Sequence, residues 1–351
     1  MFRSISSYKN HCQQIGKKTF GNWLTTSSFL LKGVFTTAQN TPYPGQPATG
    51  PGGAEYIHQS VAFFDAADKA DGYWLFEPAD PKPDSAEVVI FLHGYGAYNP
   101  FAYGKWIKHL VAKGNIVIYP RYQKNILWPR AEVFPKNAAT GIKDALNALQ
   151  KEGRVHPKLE KVAYFAHSYG GVIATNLACN WQQYGVPKPT TMLLCEPGSG
   201  PLKGARLREY SALPPDLQLL VVIGEDDYVV GDEFGRLVFN TAIHTPQRNL
   251  ITQRRSFNGM QWILATHSEP YAYDLDFDTG ARNYTARRVL MASRLNEVDF
   301  YCYWKFGDAL LGYSRKGIYR EFAFGNTPQQ RFLGYWKDGS PIRELEVTLP
   351  E

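Results

Sequence analysis

The residues of this sequence that are best suited to covalent chemistry are a serine, an aspartate and a histidine, in that order along the chain. Ser168 lies in the segment Ala-His-Ser-Tyr-Gly-Gly, Asp227 in Gly-Glu-Asp-Asp-Tyr-Val-Val and His267 in Ala-Thr-His-Ser-Glu. A serine hydroxyl becomes a nucleophile when a histidine accepts its proton and a carboxylate orients that histidine. These residue types therefore predict acyl transfer through a covalent intermediate.

The spacing around Ser168 is that of a sharp turn between a strand and a helix. Small residues lie two positions before the serine, at Ala166, and two positions after it, at Gly170. Such a turn needs small side chains there because the strand and helix backbones pass close to each other. Alanine replaces the more usual glycine at the first position. Taken alone, the segment is also consistent with a serine that only caps a helix, so the surrounding pattern has to decide.

The candidate residues lie in a region of the sequence where apolar runs alternate with amphipathic stretches. Strands are predicted over 56–64, 73–76, 88–92, 115–119, 161–166, 191–195, 217–224 and 250–257, and helices over 101–113, 136–151, 170–181 and 234–241. Strands that alternate with helices indicate a mostly parallel sheet covered by helices on both faces. Each candidate residue follows a predicted strand, which is where open α/β sheets bind ligands.

Together these motifs resemble the α/β-hydrolase superfamily. The resemblance runs from 55 to about 311 and includes His-Gly-Tyr-Gly at 93–96, the turn around Ser168, the pattern Gly-x-x-Asp-x-x-Val and the late histidine. It implies the following roles by position: Ser168 as nucleophile, His267 as general base, Asp227 as the orienting acid, and the backbone N–H groups of Tyr95 and Tyr169 as the oxyanion hole. Two other carboxylates stay open as the acid, Asp226 beside Asp227 and Glu196 after the preceding strand.

The substrate side is predicted to be an open cleft. The segment 196–216 is too short for a large cap domain, as in the dienelactone-hydrolase, chlorophyllase and polyester-hydrolase branch that the sequence resembles. Aromatic residues in loops near the strand ends are expected to line the cleft, namely Tyr98, Phe101, Trp128 and Tyr271. The alternative is that these rings pack in the core, because 14% of the chain is aromatic.

Charge divides the chain into parts. Residues 1–38 hold five of the basic residues and no acidic one, while the formal net charge of all 351 residues is +6. A basic pair, an uncharged stretch and small residues at 36–38 are typical of a signal peptide, so export is predicted, with a cytoplasmic or organellar protein as the alternative. A Pro/Gly-rich tether is predicted over 39–54. One α/β domain is predicted over 55–351, with a C-terminal extension from about 299.

Several classes of partner and cofactor are not expected. The body outside the leader has no excess of positive charge for nucleic acid, and no apolar run is long enough to span a membrane. The four cysteines are too scattered for a disulfide framework or a zinc site, and no metal or cofactor motif is present.

The resemblance implies a hydrolase of carboxylic esters that uses an acyl-enzyme. Its expected substrates are small-molecule or polymeric esters with apolar or aromatic groups. An amidase, a thioesterase or an acyltransferase could use the same three residues. A non-catalytic ligand-binding protein on this fold is the alternative from another class.

Overall fold

The computed structural model describes the backbone of residues 33–37 and residues 43–202 and 204–351 in full. Ten strands form one sheet in the order β1-β2-β3-β5-β4-β6-β7-β8-β9-β12. The strands are β1 (Gly33–Thr37), β2 (Ser60–Ala66), β3 (Tyr73–Pro78), β4 (Ser85–Leu92), β5 (Asn115–Pro120), β6 (His156–His167), β7 (Pro189–Cys195), β8 (Gln218–Gly224), β9 (Arg248–Gln253) and β12 (Glu346–Thr348), while β10 (Ser256–Asn258) and β11 (Gln261–Ile263) form a separate hairpin. The predicted strand at 250–257 is thus divided between β9 and β10.

The helices follow the strands as the alternation predicts. They are α1 (Gly104–Ala112), α2 (Phe134–Ala148), α3 (Tyr169–Cys179), α4 (Trp181–Tyr184), α5 (Glu233–Thr241), α6 (Tyr284–Ala292), α7 (Lys305–Lys316), α8 (Arg320–Ala323) and α9 (Pro328–Arg331). Short 3-10 turns cover Pro100–Tyr103, Ala131–Val133 and Leu275–Phe277, and a π-helical turn covers Asp299–Trp304. In the described part of the chain, no helix has the length and apolar character needed to cross a membrane.

The central strands are buried on both faces, which explains why their sequences are continuously apolar. Strands β4 to β9 pair in parallel, and β1 to β3 and β12 join the sheet antiparallel. Along β6, Tyr164 and Ala166 face the core under α2, α3 and α5, whereas Ala163 and Phe165 face the core under α1 and α7. The predicted fold, a mostly parallel sheet with helices on both faces, is confirmed.

The C-terminal region has a larger role than the predicted extension. Phe300, Trp304 and Phe306 are fully buried against the sheet. Helix α7 comes so close to β6 that a Cβ on Gly307 would lie 2.9 Å from the ring of Phe165. Strand β12 then adds to the sheet beside β9. The residues beyond Asp299 complete one of the two cores because α1 alone cannot cover that face.

The predicted tether is also folded, at least from residue 43. Its Gln46 side chain donates to the carbonyl of Gly52 at 3.0 Å, and the Gly52 N–H donates to the carboxylate of Asp308 in α7 at 2.9 Å. Asp308 is buried and also contacts His109 and Lys113 of the opposing helix region. Buried polar partners in α1 and α7 therefore hold backbone groups of the predicted tether against the domain.

Part of the predicted leader contributes to the sheet as well. Residues Gly33–Thr37 form β1, which pairs antiparallel with β2. Residues 1–32, with the predicted signal-peptide features, lie outside the described residues, as do residues 38–42. Export of the protein stays a prediction.

Two glycines of this N-terminal segment allow a test of its docking. Gly50 and Gly52 both have positive φ angles, +79° and +81°, but a Cβ on Gly50 meets nothing within 4 Å, whereas one on Gly52 would lie 2.0 Å from the carbonyl oxygen of Phe300. We expect Gly50→Ala to lower the free energy of unfolding by about 1–2 kcal/mol, the cost of the backbone conformation. Gly52→Ala should lower the free energy of unfolding by ~2 kcal/mol or more beyond the effect of Gly50→Ala, because the backbone at residue 52 must move away from that of Phe300.

The measurement is urea unfolding of both variants beside the parent protein. Equal, small effects of the two substitutions would show that the segment does not pack against the body of the domain.

Candidate active site

Ser168 occupies a strained turn at the end of β6. Its backbone has φ 56° and ψ −126°, a region that non-glycine residues seldom adopt. A Cβ on Gly170 would lie 2.0 Å from the carbonyl oxygen of Leu92, so only glycine fits where α3 crosses β4. The Ser168 N–H donates to the carbonyl of Cys195 at 3.0 Å. The turn therefore presents the hydroxyl at the carboxyl edge of the sheet, as the small residues around it predict.

The fold brings the three candidate residues into one hydrogen-bonded line. The Oγ of Ser168 lies 2.9 Å from Nε2 of His267, and Nδ1 of His267 lies 2.8 Å from Oδ2 of Asp227. All three side chains are buried. In the tautomer that fits these contacts, Nδ1–H donates to Asp227, which leaves Nε2 free to accept the proton of Ser168.

The environment of Asp227 keeps its carboxylate charged. Burial by itself raises the pKa of this group, but the hydrogen bond from His267 and those from the N–H groups of Val230 and Val229 outweigh it, so the pKa lies below its usual value. The two N–H groups donate to Oδ1 at 3.0 and 2.9 Å. Val230 is the last residue of the Gly-x-x-Asp-x-x-Val pattern, which thus reflects the loop that holds the carboxylate.

The other two candidate acids point elsewhere. Asp226 forms an ion pair with Arg255 and accepts from the N–H of Ala265 at 3.3 Å. Glu196 accepts from the hydroxyl of Tyr303 at 2.8 Å, and burial raises its pKa well above the usual range. Among the three carboxylates, Asp227 is the one within hydrogen-bonding distance of His267.

The backbone N–H groups of Tyr95 and Tyr169 are the predicted oxyanion hole, and both residues line the cavity that contains Ser168. Tyr169 is the first residue of α3, so its N–H has no partner inside the helix. The loop that carries Tyr95 is held on both sides, because the Gly96 N–H donates to Gln123 at 2.7 Å and Thr285 donates to the carbonyl of Tyr95 at 3.1 Å. A rigid loop of this kind keeps its donor in place before substrate arrives.

A buried network that the sequence did not reveal connects this loop to the histidine. The Gly94 N–H donates to the Tyr103 hydroxyl at 3.0 Å, and that hydroxyl donates to Nδ1 of His167 at 2.7 Å. Nε2–H of His167 then donates to the backbone carbonyl of His267 at 2.9 Å. Burial lowers the pKa of His167 well below its usual range, so the ring is neutral and donates from one nitrogen. The residue before the nucleophile therefore positions the backbone of the candidate base.

A cavity of about 380 Å³ opens beside Ser168 and His267. Of the four predicted substrate residues, only Tyr271 lines it. Tyr98 and Phe101 are buried in the core under α1, and Trp128 is 92% exposed and does not line the cavity. The structure does not bring these three into the cavity, because aromatic type and loop position do not determine which way a ring points.

The comparison with known families agrees with this geometry. The family model described as Chlorophyllase, a family of α/β-hydrolases, matches residues 77–209, from β3 through the turn at Ser168 to the loop after β7. The chain has the α/β-hydrolase fold, and the matched region covers less than half of it. The match supports a hydrolase with esterase-like activity, and it ends before Asp227 and His267. No curated protein matches the chain.

Several residues line the cavity without having been predicted to do so. They come from the loop after β7, the loop after β8 and helix α6: Ser199, Pro201, Leu202, Val229, Val230, Tyr284, Thr285 and Arg288. Only Val230 carried a sequence signal, through the acid motif. Helix α6 reaches the cavity by way of a long loop, so its residues could not be assigned to the site from the chain order.

Substitution of Asp227, Asp226 and Glu196 tests which carboxylate orients His267. We expect Asp227→Asn to lower kcat by about ten-thousandfold, because the amide cannot accept the Nδ1–H of His267 in the required tautomer. Asp226→Asn and Glu196→Gln are matched controls that make the same carboxyl-to-amide exchange in the same region, and both should change kcat by less than about tenfold. Steady-state kinetics with a p-nitrophenyl ester measures all three. A severe loss in Glu196→Gln beside a mild one in Asp227→Asn would move the acid to the loop after β7.

Proposed function

We propose that this α/β-hydrolase cleaves carboxylic esters through an acyl-enzyme on Ser168. The observation that carries the proposal is the continuous line of hydrogen bonds from Asp227 through His267 to Ser168, at 2.8 and 2.9 Å, at the wall of a cavity. A serine that only capped a helix would not need this arrangement, and Ser168 makes no side-chain cap.

The first half-reaction follows from these contacts. Nε2 of His267 takes the hydroxyl proton as Oγ of Ser168 forms a bond to the ester carbonyl carbon, and the carbonyl electron pair moves onto oxygen. In this proposal, the N–H groups of Tyr95 and Tyr169 donate to that oxyanion. When the tetrahedral intermediate collapses, the bond to the alcohol oxygen breaks, and His267 gives its proton to the leaving alcohol.

Water completes the cycle in the second half-reaction. His267 removes a proton from the water as its oxygen bonds to the acyl carbon, and then returns the proton to Oγ of Ser168 when the acid leaves. Asp227 stabilises the imidazolium in both halves and stays ionised. Its lowered pKa is consistent with that role.

The apolar lining of the cavity favours an ester substrate with apolar groups. Its wall includes the side chains of Pro201, Leu202, Val229 and Tyr271, and its volume of about 380 Å³ is that of a small-ligand site. The described residues of the loop between β7 and β8 form no helix that could cover the site, and we expect small molecules or the end of a polymer chain to reach it. An ester panel of increasing acyl length, with a matching amide and a thioester, tests the choice of bond.

The nucleophile can be tested directly. We expect Ser168→Ala to lower kcat at least about a thousandfold, because the attacking oxygen is lost, while urea unfolding stays close to that of the parent. A fluorophosphonate probe should label the parent protein, and peptide mapping should place the label on Ser168 rather than on the nearby Ser199 or Ser268.

Two results would contradict this proposal. Labelling that persists in Ser168→Ala would assign the reactive serine to another position. A parent protein that neither reacts with the probe nor cleaves any ester would favour a non-catalytic ligand-binding protein.

A further inference from the structure

The cavity beside Ser168 contains a positive charge that the proposed reaction does not use. Arg288 extends from α6 to the cavity wall, where it lies together with Ser168 and His267. Its Nε–H donates to Oγ of Ser268, the residue after the candidate base, at 3.1 Å. This contact fixes the guanidinium next to the reacting groups and leaves its two terminal nitrogens for other acceptors.

The charge of Arg288 is not neutralised by the protein. No carboxylate of the described residues lies within 4.0 Å of its guanidinium, and no acidic side chain is among the described residues that line the cavity. The residues outside the described ranges, 1–32, 38–42 and 203, include no Asp or Glu. By contrast, Arg206 pairs with Glu233 and Arg282 with Asp278 close by on the surface.

We propose that Arg288 binds an anionic group of the substrate, so that the esters cleaved here carry a carboxylate a few atoms from the scissile carbonyl. This inference rests on the proposed function. A guanidinium is always charged and pairs with a carboxylate through two parallel hydrogen bonds. Because one cavity of about 380 Å³ holds Ser168, His267 and Arg288, a single small ligand reaches all three.

The other residues of the cavity wall indicate which chemical group connects the ester to the carboxylate in the substrate. Pro201, Leu202, Val229 and Val230 contribute apolar surface to the same cavity. A short hydrocarbon or aromatic spacer fits such a wall, since burying a second polar group there without a partner would cost free energy. The half-ester of a dicarboxylic acid has this pattern of ester, apolar spacer and carboxylate.

The test compares two esters that differ in one charge. Mono-4-nitrophenyl adipate and 4-nitrophenyl hexanoate share a six-carbon acyl chain and a leaving group, but only the first has a terminal carboxylate. We expect the parent protein to favour the adipate in kcat/KM. In Arg288→Gln the ratio of the two kcat/KM values should fall at least tenfold, mainly through a higher KM for the adipate, and Arg288→Lys should recover part of the ratio.

Arg287→Gln is the matched control, because Arg287 is the neighbouring residue of α6, is exposed and does not line the cavity. It removes the same charge and should leave the ratio unchanged. If Arg287→Gln and Arg288→Gln lowered the kcat/KM ratio equally, the positive charge of the surface as a whole would explain the preference, and the inference would be overturned. If Arg288→Gln lost activity on the adipate and the hexanoate esters alike, a structural role of Arg288 would explain the loss, and the inference would also be overturned.

A binding experiment separates this inference from the proposed function. Monomethyl adipate, which carries one free carboxylate, and methyl hexanoate, which carries none, are titrated calorimetrically into Ser168→Ala and into Ser168→Ala with Arg288→Gln. Tighter binding of monomethyl adipate that disappears with Arg288→Gln supports the anion site even if no ester is hydrolysed, a result that would refute only the esterase proposal. Ester hydrolysis with no preference for the adipate esters in either rates or binding would refute the anion site alone.

Discussion

The close crossing of α3 over β4 is the constraint on which the site depends. The backbone of α3 lies so near the carbonyl of Leu92 that no side chain fits at Gly170. To enter the helix at that distance, the chain takes a positive φ at Ser168. This conformation costs free energy, and the packing of the apolar strand and helix on either side sustains it. The result is a hydroxyl aimed away from the sheet and a free N–H at Tyr169 beside it.

Buried polar groups then extend this geometry to the other side of the cleft. The Tyr103 hydroxyl and the His167 ring connect the loop at Gly94 with the backbone of His267. Each group in this line is paired, and an unpaired one would be costly in so dry an environment. These hydrogen bonds therefore favour one position of the loop at Gly94 relative to His267. Pre-organised catalysis requires such a fixed arrangement.

The two faces of the sheet are completed by segments far apart in the chain. The region after Asp299 supplies α7 and many of the aromatic side chains of one core, and the loop at Gly52 is held onto α7 by Asp308. The amphipathic pattern of α7 and the Pro/Gly-rich turns near Gly52 are local signals, but neither shows where its segment docks. Their positions follow from partners that only the folded chain brings near, so the sequence alone predicts an extension and a tether.

The sequence by itself determined the alternation of the central strands and helices, the turn at Ser168 and the loop motif around Asp227, because each depends on local patterns of side-chain size and polarity. The confirmed α/β fold and the choice of candidate residues follow from those patterns. The tertiary structure alone decided which acid contacts His267, which aromatic rings face the cleft and that Arg288 lies beside the nucleophile. These are contacts between residues distant in the chain, and side-chain direction in long loops is set by packing rather than by residue type.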